Sequence, residues 1–380
     1  MTIFLIATLI VTLCYTILIV LFRRGWQLQL ESFTPEIFTP STSVSIIIPA
    51  RNEAINITAC ISSILKNNYP KHLFEIIVVD DFSDDGTQDI VHSFQLPNVY
   101  CLELKNFMSS EEKINAYKKK ALTIGIEHST GKLIVTTDAD CIVPQKWLRN
   151  IVFEFEIKNP VMIIAPVVFS ESPKLLSIFQ TIDFMMMQGI TIATHRLGLG
   201  SMSNGANLAF SKNAFQEVNG YDDINFLASG DDLMLTAKMK KKFPKRIVCL
   251  RSDVAIVTTH PQPNLSSFFR QRIRWASKSG KYNDPKLIAI LSLVYLFNLM
   301  LLVLALLSCR ELYLLYFLIG ILATKTIIEL NFLIPLASFF RLKKMLYWFP
   351  LLQFFHVLYI VSAGFLGMIG KYEWKGRRVR

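Results

Sequence analysis

The residues able to do chemistry fall into five short clusters. Asp138-Ala139-Asp140 sets two carboxylates on either side of a small residue, directly after an apolar run. Hard cations such as Mg²⁺ or Mn²⁺ take oxygen ligands, so the triplet can hold a divalent ion. An ion there can neutralise the charge that builds on a departing diphosphate. Two Asp in a loop also serve as caps or solvated turns, and the triplet alone does not separate the readings. Asp80-Asp81 ends another apolar run, where a carboxylate can accept from a base or a ribose. Asp231-Asp232 follows Ser229-Gly230 and precedes the helical stretch Leu233 to Met239. These acids can satisfy a helix N-terminus, or one can be a general base toward a hydroxyl, and both roles are open to one pair. Gln271-Arg272-Ile273-Arg274-Trp275 lies ahead of a long apolar run. Arg and Trp there suit an interfacial belt, or a pyrophosphate clamp with a ring for a sugar to stack on. Asn204-Gly205-Ala206-Asn207 suits a tight turn with close approach of a ligand.

The elements that must position these clusters alternate. Val44 to Pro49 is a short β-branched run that predicts a buried strand, and Asn52 to Lys66 has helical periodicity. Phe74 to Asp80, Val99 to Leu104 and Lys132 to Thr137 predict three further strands, and Ala116 to His128 a helix. Asp84-Asp85-Gly86-Thr87 is a turn in which Thr87 can cap the next helix. Alternating strands and helices imply a mostly parallel sheet covered on both faces. Ligands bind such sheets beyond the carboxyl ends of the strands, and Arg51-Asn52-Glu53, Asp80-Asp81 and Asp138-Asp140 all follow strands.

The apolar residues concentrate at the two ends of the chain, which has 380 residues, 52% of them hydrophobic, and a net charge of +11. Ile3 to Phe22 is long enough to span a bilayer, and Arg23-Arg24 follow it, where a cleaved signal peptide would carry its charge in front. The positive-inside rule then places the following residues in the cytoplasm. Leu287 to Leu307, Leu312 to Phe340 and Met345 to Ile369 read as three further spans, although the basic tail Lys375 to Arg380 fits poorly with the orientation three spans give it. Lys325 and Glu329 are four apart and can pair inside the membrane. Residues 25–42 are polar and read as a linker. The boundaries are therefore an anchor at 1–24, a linker at 25–42, a catalytic domain at 43–280 and a membrane region at 281–380. The basic clusters suit solvated faces and anionic headgroups rather than nucleic acid, since no nucleic-acid-binding motif accompanies them. Six scattered cysteines without a C-x-x-C pair argue against a zinc site or a disulfide framework.

Together the clusters resemble membrane-bound members of glycosyltransferase family 2, with a GT-A fold. Ile47 to Glu53 is similar to the family's first strand and loop, Val79 to Thr87 to its second donor loop, and Asp138-Ala139-Asp140 to its metal motif. Gly230-Asp231-Asp232 is similar to the acid–base motif and Gln271 to Trp275 to Q-x-x-R-W, in the family's order across residues 43–280. The resemblance implies that Pro49, Asn52, Glu53 and Asp80 hold the nucleoside, with Asp81 nearby, and that Lys118 approaches the donor. It implies that Asp138 contacts ribose or phosphate and that Asp140 ligates Mg²⁺ or Mn²⁺, with His260 a candidate second ligand. Asp232 would be the base and Asp231 its support, while Gln271, Arg274 and Trp275 would line the acceptor and diphosphate side. The chain departs from the family in having Asp231 where Glu is common and Thr123 where Asn is usual.

The implied enzyme is an inverting, metal-dependent glycosyltransferase. It would move a sugar from a nucleotide-sugar donor, a UDP-sugar by preference, to a glycan or lipid-linked acceptor near the bilayer. Cell-envelope glycan is the implied product, and the enzyme would sit in the cell or inner membrane with its catalytic domain in the cytoplasm. A processive polysaccharide synthase is the alternative, although four spans make a channel harder to enclose.

Overall fold

The computed structural model describes residues 1–380 apart from 109–114, 201, 223, 225–229, 279–283, 370–371, 375–376 and 380. Ser229 and part of the basic tail thus lie outside the described residues. The strands are β1 (Val44–Ala50), β2 (Phe74–Asp80), β3 (Val99–Glu103), β4 (Leu133–Thr136), β5 (Met162–Ile164), β6 (Val167–Phe169), β7 (Leu208–Ser211), β8 (Ile247–Cys249), β9 (Val257–Thr259), β10 (Tyr372–Trp374) and β11 (Arg377–Val379). The helices are α1 (Thr2–Leu28), α2 (Ile57–Leu65), α3 (Thr87–Ser93), α4 (Tyr117–Glu127), α5 (Trp147–Lys158) and α6 (Leu175–Leu197). They continue with α7 (Lys212–Glu217), α8 (Asp231–Lys242), α9 (Leu265–Ala276), α10 (Pro285–Ser308), α11 (Leu312–Phe339) and α12 (Phe349–Ile369). Two compact units result. A sheet unit takes in 30–168 and 201–260, and a helical unit takes in 1–29, 169–200 and 261–373.

The sheet unit holds a seven-stranded sheet in the order β3-β2-β1-β4-β7-β5-β8. It is mostly parallel, as the alternation implies, with β7 antiparallel to both β4 and β5. Val44, Ile46, Ile47 and Ile48 of β1 are at most 1% exposed, because a central parallel strand is covered on both faces. Burying each such side chain contributes about 1.5–3 kcal/mol, more than the roughly 0.5–1.5 kcal/mol net of a hydrogen bond, so packing anchors the strand. The register pairs Ala50 with Asp80 and Ile47 with Thr136, which brings the loops after β1, β2 and β4 to one edge. Gly125 lets α4 lie close on this sheet: a Cβ there would stand 2.6 Å from Ile47 Cγ2 and 3.0 Å from Val79 Cγ2.

Three features of the structure bear on the readings from sequence. The stretch taken as a linker is not loose. The helix α1 runs on to Leu28, and Ser41 and Thr42 both bond Glu156 of α5, while Arg149 of α5 donates to the Pro35 and Glu36 carbonyls. Thr87 does not cap α3. Gly86 holds the cap position with φ 88°, and Thr87 is the first helical residue, its N–H and hydroxyl donating to Asp85. Within the stretch read as 43–280, residues 169–200 and those from 261 onward group with the helical unit and the rest with the sheet unit.

Among the described residues the helical unit contributes five helices long and apolar enough to cross a membrane, against the four read from sequence. The additional one is α6, whose mean hydropathy of 1.3 compares with 2.8 for α1. Polar Gln180, Thr181, Asp183 and Gln188 lower its hydropathy, yet all four are buried within the protein. Tyr15 of α1 stacks on Phe297 of α10, and Trp26 meets Phe339 of α11 edge-on. Lys325 and Glu329 pair as their spacing implies, at 2.8 and 2.9 Å, and Gln353 accepts from Lys325 and donates to Glu329, both at 2.6 Å.

Candidate active site

The site is built on the edge where β1, β2 and β4 end. Asn52 adopts φ 52°, an αL conformation that Asn tolerates better than most residues. It locks to the next loop reciprocally: its N–H donates to Ser83 Oγ at 2.9 Å, and its Oδ1 accepts from the Asp84 N–H at 3.1 Å. The Glu53 N–H donates to Thr87 Oγ1 and the Ala54 N–H to Asp85 Oδ2, each at 2.9 Å. Arg51 donates to the Asp81 carbonyl at 2.8 Å. The loops after β1 and β2 are thus one cross-braced platform, with Pro49 at the end of β1 beneath it.

Asp80 is 1% exposed. Its Oδ2 accepts from the Ser83 N–H at 3.1 Å and from Gln88 Nε2 at 2.5 Å, while its Oδ1 is buried with no partner among the described residues. A buried carboxylate oxygen without a donor costs on the order of 1–3 kcal/mol.

After β4, Asp138 and Asp140 flank the buried Ala139 in a turn. Lys118, near the start of α4, sits 2.7 Å from Asp138 Oδ1 and 3.8 Å from Asp231 Oδ2. Burial works against its charge, but Asp138 and then Asp231 outweigh burial and hold the ammonium above the usual lysine range. Asp231 and Asp232 occupy the first turn of α8, and Gly230 stands at the cap with φ 82°. Asp231 is buried and Asp232 half-buried. Two backbone donors orient Asp232, the Gly205 N–H onto Oδ2 at 3.1 Å and the Leu233 N–H onto Oδ1 at 2.8 Å.

The loop 204–207 does more than turn. The Gly205 carbonyl accepts from Thr136 Oγ1 at 2.7 Å, and a Cβ at Gly205 would stand 3.4 Å from Asp231 Oδ2 and 3.9 Å from Lys118 Nζ. Asn207 is fully buried, donating to the Pro166 and Ala255 carbonyls and accepting from Trp147 Nε1. Sequence reasoning took this loop as an approach for ligand. The structure makes it the scaffold that places the Asp231-Asp232 pair against β4, and the signal was the Gly between two Asn.

Asp140 is partly exposed, with Cys141 Sγ 3.7 Å from its Oδ1. The antiparallel bridge between Ile142 and Thr258, if continued, would set Asp140 opposite His260, which is exposed just beyond β9. Even so, among the described residues no group of three or more His, Cys, Asp or Glu forms a metal-binding cluster. One or two open carboxylates still fit Mg²⁺ or a similar ion, which takes a few protein oxygens and completes its shell with substrate phosphates and water.

Gln271, Arg274 and Trp275 lie on α9, in the helical unit. Asn264 caps this helix, its side chain accepting from the Ser267 N–H at 2.9 Å. The residue of this motif that the sequence left without a role, Arg272, is buried and ion-paired with Asp183 at 2.9 Å. Its guanidinium stacks 4.3 Å from the Trp275 ring, which also tilts against Phe184. Part of the Trp275 ring is thus occupied by the protein itself.

Comparison with known proteins agrees with this architecture. Residues 133–366 match the profile of Glycosyl transferase family group 2, and residues 45–218 that of Glycosyl transferase family 2. The chain belongs to glycosyltransferase family 2. Among curated relatives, a probable glycosyltransferase of Sulfolobus acidocaldarius is 28% identical over 63% of this chain and 50% of its own length. The poly-beta-1,6-N-acetyl-D-glucosamine synthase of Staphylococcus epidermidis is 24% identical over 61% of this chain and 53% of its own. The glycosyltransferase AglE of Haloferax volcanii is 36% identical over 28% of this chain and 33% of its own. The matches span about a third to about half the length of these relatives. Among solved structures, the mannosyltransferase PcManGT of Pyrobaculum calidifontis, in complex with GDP-Man and Mn²⁺, has a TM-score of 0.56 at 19% identity, covering 95% of this chain and 96% of that one. That likeness establishes the GT-A fold.

Proposed function

We propose that this protein transfers a sugar from a nucleotide-sugar donor to a hydroxyl of a lipid-linked or glycan acceptor at a membrane, inverting the anomeric centre. The observation that carries the reading is the convergence of Asp138, Asp231 and Asp232 on Lys118 and Gly205 at the end of β4. Asp80, with its unpartnered Oδ1, accepts from the nucleoside, and the platform of Asn52, Glu53 and Asp81 holds that loop in place beside Pro49. Asp138 contacts ribose or phosphate, with Lys118 alongside. Asp140 holds a divalent cation, which supplies charge neutralisation at the diphosphate when bound. Asp232, aimed by the Gly205 and Leu233 N–H groups, takes the proton of the acceptor hydroxyl. That oxygen bonds to the anomeric carbon as the bond to the diphosphate oxygen breaks. For Gln271, Arg274 and Trp275 at the acceptor and diphosphate, and for His260 as a ligand, the support is the family pattern alone. The charge of Arg23 and Arg24, toward the C-terminal end of the first apolar helix, supports a cytoplasmic sheet unit.

Asp232→Asn should lower turnover by about 10²–10⁴-fold while nucleotide affinity stays at the wild-type value. Transfer near the wild-type rate would remove Asp232 from the role of base. A processive synthase is the second reading, favoured by the likeness to the Staphylococcus epidermidis synthase and by a fifth long apolar helix. A panel of UDP- and GDP-sugars, followed by sizing of the product, separates one-sugar transfer from polymerisation and fixes the donor.

A further inference from the structure

We infer that Lys119 is a positioning residue that fixes the turn bearing Asp231 and Asp232; the inference rests on the reading of Asp232 as base. Lys119 follows Lys118 on α4 but is fully buried. Its ammonium donates to the Ile224 carbonyl at 2.6 Å and stands 3.7 Å from Met234 Sδ. Ile224 lies ahead of the Asp231-Asp232 pair in the chain, and Met234 lies in the first turn of α8 just past it, so one side chain contacts the chain on both sides of the pair. Asp231 and Asp232 are the carboxylates that act on it, Lys118 is the neighbouring cation on α4, and the buried Tyr221 phenol feels the same two acids. Hiding an ammonium costs several kcal/mol unless it is paired, and a methionine would fill the volume without that cost. What the ammonium adds is a directed bond and a charge beside the acid–base pair. Burial draws its pKa down to about 8 against the opposing pull of Asp231 and Asp232.

The experiment compares Lys119→Met, Lys119→Arg and Asp232→Asn in the full chain. The readouts are nucleoside diphosphate release from UDP-N-acetylglucosamine, UDP-glucose and GDP-mannose, binding of UDP and GDP, and thermal unfolding. Lys119→Met should lower kcat about 10- to 100-fold, the scale of an ångström-level misplacement, with UDP and GDP affinity unchanged. Wild-type kcat should fall on the alkaline side as Lys119 loses its proton, near pH 8; Lys119→Arg should restore part of the Lys119→Met loss and lack that alkaline fall, because Arg keeps its proton. A lowered unfolding temperature with kcat per folded molecule intact and the alkaline limb unmoved would overturn the inference. Should Lys119→Met not fold, the limb in Lys119→Arg decides alone. If Asp232→Asn turns over normally, the base reading has failed. If Asp232→Asn is inactive while both Lys119 variants behave as wild type, only the inference has failed.

Discussion

Lys118 of the sheet unit and Lys325 of the helical unit are each held by carboxylates, yet their surroundings differ in kind. Lys325 is fully buried, and both oxygens of Glu329 and the Gln353 carbonyl take its protons, while the Tyr15 hydroxyl donates to Glu329. Lys118 keeps 23% of its side chain exposed and reaches Asp138 and Asp231 across a partly open edge. At the end of β2 in the same unit, Asp80 Oδ1 has no donor among the described residues. The Lys325 cluster supplies its own polar partners, whereas the strand edge leaves at least the Asp80 Oδ1 valence unfilled. Charge alone marks neither as functional. What separates them is whether the protein supplies every partner.

The sharpest way to break this comparison is the same substitution in both places. Lys325→Met leaves the Glu329 carboxylate buried without its cation and should cost about 3–5 kcal/mol of stability, read as a fall in unfolding temperature in detergent. Adding Glu329→Gln should recover much of that loss, since the uncompensated charge is then gone. Lys118→Met should hardly move the unfolding temperature and should instead impair turnover. A large destabilisation by Lys118→Met would place it with Lys325 as a structural cation.

A smaller effect sharpens the contrast from the side of the unfilled valence. Asp80→Asn puts an amide donor into a pocket arranged to accept. Nucleotide affinity should fall by about 1–3 kcal/mol, the cost of an unmade buried hydrogen bond, which is roughly fivefold to 150-fold in Kd by titration calorimetry with UDP and GDP. Unchanged affinity would mean that the Oδ1 atom faces no nucleoside.

The two regions were also unequally legible from sequence. The strands β1, β2 and β4 are near-continuous apolar runs ending in acids, so both their existence and the shared edge follow from pattern. The pair Lys325 and Glu329 follows from helical spacing. The helix α6 was invisible because Gln180, Asp183 and Gln188 interrupt its apolar character, and only tertiary burial explains them. Lys119 was hidden for a related reason. In a run of three lysines nothing local tells the two half-buried ones from the one that is fully buried. Gly205 looked like a generic turn because its partners, Thr136 and Asp232, lie far away in the chain. Long-range hydrogen bonds leave no periodicity to read.

The smallest effect concerns Glu156, a carboxylate satisfied like Glu329 but near the surface. Its Oε1 accepts from the N–H and the hydroxyl of both Ser41 and Thr42, at 2.7–3.0 Å. Burial pushes its pKa up, but these four donors outweigh burial and hold it below the usual value of 4.5. A depressed folded pKa means that the unfolded chain binds the proton more readily, so the stabilisation is complete above pH 4.5 and is lost as pH falls through the folded value. Glu156→Gln should therefore cost about 1 kcal/mol or less near neutral pH, given partial exposure. The gap between wild type and variant should close on acidification, as followed by unfolding temperature against pH. A gap that persists in acid would show that Ser41 and Thr42 fasten this segment through geometry rather than through the charge on Glu156. The difference between the closed and the open region would then rest on shape as much as on valence.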